Sequence, residues 1–65
     1  QRIILISVDN DIVIASYRGL YSYNEKENKV SRYDKFGTEL SGGEFGVYRI
    51  LKTDEGYLMS LYSNN

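Results

Sequence analysis

Two carboxylates one residue apart, in Asp9-Asn10-Asp11, form the spacing in this sequence that could hold a hard cation. A helix-flanked calcium loop starting at Asp9 needs Gly at its sixth position and a bidentate Glu at its twelfth. Ile14 and Leu20 stand there. The triplet therefore reads as a hairpin turn, where Asp and Asn bond their own backbone, and no metal is expected. Ser41-Gly42-Gly43-Glu44-Phe45-Gly46 is rich in Gly, but it lacks the Gly-Lys-Ser/Thr ending of a phosphate loop and opens no helix. Phe45 and Tyr48 beside it could stack on bases, yet Glu44 sits among them. Eight Lys and Arg against nine Asp and Glu leave a net charge of −1, which repels phosphate. No nucleic acid is expected as a partner.

Catalysis has little to work with. There is no His and no Cys, so the commonest general base and the thiolate nucleophile are both missing. The same lack removes disulfides and the usual zinc ligands. The carboxylates fall mostly in turns, where solvation accounts for them. We expect neither an enzyme nor a cofactor. What stands out instead is seven Tyr in 65 residues. Cross-strand packing accounts for Tyr21, Tyr23, Tyr33, Tyr48 and Tyr57. Tyr17 and Tyr62 differ, because each ends a strand just before a polar turn.

The elements that hold these residues read as β-strands throughout. The organising stretch is 11–33, with Ile12–Tyr17, Leu20–Asn24 and Lys29–Tyr33 as strands rich in β-branched and aromatic residues. Arg18-Gly19 and the polar run Asn24–Asn28 reverse the chain between them. Before them, 2–8 is nearly continuously apolar and reads as a strand buried on both faces. The stretch 34–46 carries four of the six Gly, has no periodicity and reads as a crossing loop, with Phe36, Leu40 and Phe45 tucked into the body. Strands resume at 47–52 and 57–62 around the turn Thr53–Gly56, and 63–65 reads as a further turn. The fold class is all-β: an antiparallel four-stranded meander over 1–33, then half of a second such unit over 47–65.

Sliding the chain by 45 positions superposes residues 1–20 on 46–65 without a gap. Leu5-Ile6 falls on Ile50-Leu51, Asp9 on Asp54, Val13-Ile14 on Leu58-Met59, and Tyr17 on Tyr62. A period of this length with four strands per unit is the mark of a β-propeller. Connections in a meander alternate between the two ends of the sheet. Residues 9–11 and 24–28 therefore share one end. Arg18-Gly19, the loop 34–46 and 63–65 share the other, which becomes the candidate binding face.

The residues also carry a resemblance. Gly19–Tyr33, GLYSYNEKENKVSRY, resembles the G-L-Y-R-Y-D … G-K-F-x-x-Y segment of two-component-regulator propeller repeats. Leu40–Asn64, LSGGEFGVYRILKTDEGYLMSLYSN, resembles their companion segment L-S-x-N-x-V-x-x-I-x-x-D-x-x-G-x-L-W-I-G-T. Val13 and Leu58 stand where that family has Trp, and Ala15-Ser16 and Ser60-Leu61 where it has Gly-Thr. The resemblance implies a non-catalytic sensor propeller on the extracytoplasmic, periplasmic side of a hybrid two-component receptor, responding to oligosaccharide. Its implied partners are the remaining blades of the same protein, a sugar, and a second receptor in a homodimer, with no membrane contact from this segment. Gln1 at the first position leads us to expect a piece of a longer protein. The run Ile3–Ile6, apolar toward both faces of a sheet that can cover one, leads us to expect that this piece does not fold stably alone. Under that reading Tyr17, Arg18 and Tyr62 contact the ligand, with Glu39 and Glu44 beside them. Tyr offers a ring face and a hydroxyl tip, and Arg a fork of donors. The competing reading is a free-standing small β-barrel that binds single-stranded nucleic acid or peptide. A third is an enzyme whose carboxylates come from other blades.

Overall fold

The computed structural model describes residues 3–65. Four strands form an antiparallel meander in the order β1-β2-β3-β4: β1 (Ile4–Val8), β2 (Asp11–Ser16), β3 (Gly19–Asn24) and β4 (Lys29–Arg32). The turns explain themselves chemically. Asp9 and Asn10 take φ of 50° and 73°, the pair of left-handed residues that a two-residue hairpin turn demands. At the next turn the Ser16 hydroxyl accepts from the Arg18 N–H at 3.2 Å and donates to the Gly19 carbonyl at 3.0 Å. Gly19 itself has a φ of 105°, which a residue with a Cβ adopts only under strain. Asn24 caps the third turn by accepting from the Glu27 N–H at 3.1 Å.

Beyond β4 the chain passes through the short 3₁₀ turn η1 (Thr38–Leu40) into a hairpin of β5 (Phe45–Thr53) and β6 (Gly56–Ser63). Thr53 repeats the chemistry of Ser16, accepting from the Glu55 N–H and donating to the Gly56 carbonyl, each at 3.3 Å. Phe36 anchors the connection, its ring 5.9 Å from Tyr33 and 5.5 Å from Tyr57. Leu40 packs on the same core, while Phe45 is half-buried in β5. A bulge at Tyr48 puts two residues against one on the partner strand. It reverses the alternation, so that Val47 and Ile50, three apart, both face the core.

Five cross-strand pairs of the first hairpin recur in the second at the 45-residue offset: Ile4↔Ala15 as Arg49↔Ser60, Leu5↔Ile14 as Ile50↔Met59, Ile6↔Val13 as Leu51↔Leu58, Ser7↔Ile12 as Lys52↔Tyr57, and Val8↔Asp11 as Thr53↔Gly56. The repeat is thus a repeat of register. The faces are opposite, however. The first sheet turns Ile4, Ile6, Val8, Val13, Ala15 and Leu20 to the core. The second hairpin turns Ile50, Tyr57 and Met59 there, the counterparts of Leu5, Ile12 and Ile14. The two units stack front to back, with β2 packed on β5.

The fold is all-β, with no helix longer than η1 among the described residues. Some expectations need correction. The first strand, read as 2–8, begins at Ile4, and its start at Arg2 lies outside the described residues. It is covered on one side only: Val8 is fully buried, whereas Leu5 is 66% exposed, because among the described residues no element lies over its second face. The crossing loop, read as 34–46, ends at Glu44, since Phe45 and Gly46 already pair with Ser63 and Tyr62. The two sheets share no strand pairing, so the closed barrel of the competing reading is absent among the described residues.

Candidate functional site

Three segments meet at one end of the stack, and Asn64 joins them. Its side-chain amide donates to the Tyr17 carbonyl at 2.8 Å and to the Gly43 carbonyl at 3.1 Å. Its backbone N–H donates to the Glu44 carbonyl at 3.0 Å. The β2–β3 turn, the loop before β5 and the segment after β6 are thereby held together. Gly19 lies under the loop so closely that a Cβ would collide with the Leu40 carbonyl. Ser41 is fully buried and its hydroxyl donates to the Asp34 carboxylate, which fixes the loop from within.

On this scaffold Tyr17 and Arg18 project from the turn, both exposed. The Arg18 guanidinium lies along Gly43, where an added Cβ would stand 3.0 Å from a terminal nitrogen. It has no carboxylate within ion-pair distance among the described residues; the one ion pair there joins Lys35 to Asp11 at 3.1 Å. Tyr62 spreads its ring over Gly46, and that ring lies 5.7 Å from Tyr48. Only a residue without a side chain leaves room for it.

The structure therefore brings Tyr17 and Arg18 onto the same clamped end as Glu44, with Tyr62 on the strand leading to it. Glu39 sits on η1 with its carboxylate folded back over Gly37. Two contributors escape sequence reasoning. Asn64, read only as part of a turn, is the clamp, and Tyr48 is the companion of Tyr62 through a bulge that no residue type announces. The Asp9-Asn10-Asp11 triplet is a turn, with Asp11 engaged by Lys35.

A depression lies at the opposite end. It is open, about 420 Å³ in volume, and lined by Asn10, Asp11, Ser22, Tyr23, Asn24 and Lys26 among others. The Tyr23 hydroxyl within it already donates to Asn28 at 2.8 Å.

Comparison with protein-family models, with curated proteins and with solved structures finds no match to the chain. Among the described residues no helix is long and apolar enough to cross a membrane.

Proposed function

We propose that the chain is a non-catalytic, ligand-binding segment of a β-propeller in a two-component sensor, acting on the periplasmic side and responding to oligosaccharide. The observation that carries this reading is the front-to-back stacking of two units with the same register. Blades of a propeller are repeats that bury one face against the next repeat and the other against the previous one. A two-layer sandwich closes instead by bringing two inner faces together. The exposure of Leu5, Leu51 and Leu58 supports further repeats on either side, which another copy of the chain can supply. The sugar specificity comes from the resemblance to two-component-regulator repeats.

In this reading the ligand meets the end clamped by Asn64. Arg18 supplies donors that no carboxylate among the described residues uses, and Tyr17 and Tyr62 supply ring faces. The open depression near Lys26 is the competing location, since it is a concavity of about 420 Å³. Titrating the protein with a panel of neutral and acidic oligosaccharides tests both. Arg18→Ala is expected to weaken binding by about 1–3 kcal/mol, the worth of a charged hydrogen bond. Lys26→Ala is expected to leave it unchanged. Equal losses, or no binding by the unaltered protein, contradict the proposal.

A further inference from the structure

The contact between the two sheets uses one face of each, and the faces left open are its counterparts. Leu5, Ile12 and Ile14 line the open face of the first sheet, and Tyr21, Tyr23 and Val30 extend it, since cross-strand pairing puts them in the same two rows. Their equivalents in the second hairpin, Ile50, Tyr57 and Met59, are packed into the core. On the far side of the molecule Leu51 and Leu58 are 49% and 63% exposed. Their equivalents Ile6 and Val13 belong to the face that the second hairpin covers. Each open surface is thus a version of one that is already buried, against the partner it would need.

We infer that a second copy of this chain occupies these faces, head to tail. Strand β6 of one copy lies on β1 of the next, as β2 lies on β5 within the chain. Apolar side chains adjoin on both open faces, Leu51 beside Leu58 on one and Leu5, Ile14 and Tyr21 in a row on the other. Contiguous exposed apolar surface marks an interaction site. The intramolecular contact identifies its occupant, because it displays the complementary pair of surfaces already joined. The geometry is heterologous: the two surfaces of one interface differ, so two copies do not close it. Growth continues to a ring or an open filament. The inference rests on the stacked-repeat reading above and not on its ligand.

Sedimentation of the full chain over rising concentration, with two aspartate variants at exposed positions, tests this. The unaltered protein is expected to pass beyond a dimer. Leu5→Asp spoils one face and Leu58→Asp the other, so each variant alone is expected to be monomeric. Mixed in equal amounts, they retain one intact pair of faces and are expected to give a 1:1 dimer that grows no further. That recovery also shows that both variants are folded. A monomeric unaltered protein at millimolar concentration overturns the second copy as the occupant, and leaves the oligosaccharide titration as a separate question. Dimerisation of Leu58→Asp alone means that like faces pair. That result overturns the head-to-tail order and the stacked-repeat reading with it.

Discussion

Leu5 and Ile50 occupy the same place in two hairpins of identical register, yet Leu5 is 66% exposed and Ile50 only 7%. The difference comes from position in the stack and not from residue type. Ile50 has the first sheet beneath it, while the equivalent face at Leu5 has no layer over it. Ile50→Ala is accordingly expected to cost roughly 2–5 kcal/mol, the loss for a buried aliphatic side chain that leaves a cavity. Leu5→Ala in dilute solution is expected to stay within about 0.5 kcal/mol, as for a surface change. Urea unfolding of the two variants checks the contrast.

The β2–β3 turn is intolerant of any side chain at Gly19. Its φ of 105° is strained for an L residue, and a Cβ would meet the Leu40 backbone, which cannot swing aside. Gly19→Ala is expected to lose roughly 2–4 kcal/mol by combining that strain with a steric clash. Gly56→Ala serves as the comparison. Its φ is 143° with open space around the position, so it is expected to lose less. Thermal melts of both variants separate the clash from the strain.

Much of the architecture was legible because turn chemistry and apolar alternation act locally. Asp9-Asn10 and Thr53–Gly56 punctuate the chain where the structure turns, and the 45-residue offset proved to be a match of cross-strand register. The turn expected at Arg18-Gly19 falls one residue earlier, at Tyr17-Arg18, because Gly19 already pairs with Ser16. Three things were not legible. The run Ile3–Ile6 is apolar on both sides, and a sequence cannot say whether a second layer is present to cover both. The bulge at Tyr48 depends on how β5 must bend to lay Val47 and Ile50 on the first sheet, which is a tertiary demand. The clamp by Asn64 is missed for the same reason, since its partners Tyr17 and Gly43 are far away in sequence.

Tyr33 carries a buried hydroxyl with no hydrogen-bond partner among the described residues. Such a group costs its desolvation without return. Tyr33→Phe is expected to keep the ring contact with Phe36 and to raise stability by about 1 kcal/mol, measured by denaturant midpoint.

The same residue sets an alkaline limit. Burial pushes the Tyr33 phenol above its ordinary 10.0, with Lys35 partly opposing and Asp11 and Asp9 adding to the rise. Lys35 is held above its ordinary 10.5 by its hydrogen bond and charge attraction to Asp11. Both groups bind their protons more tightly folded than unfolded. Their contribution is therefore whole below the unfolded values and is lost as pH rises through the folded ones. The melting temperature is expected to hold up to about pH 9 and to fall above about pH 10, where unfolded Tyr releases its proton. Tyr33→Phe should flatten that fall in part and leave the share due to Lys35.

The binding face is tested most directly by backbone amide chemical shifts of the labelled protein during titration with an oligosaccharide that binds. The two ends of the sheets are far enough apart in the fold to report separately. We expect the largest shifts at Tyr17, Arg18, Gly43 and Asn64, with Asn10, Asn24 and Lys26 unmoved. Shifts confined to Asn10, Asn24 and Lys26 would contradict the account and move the site to the opposite depression.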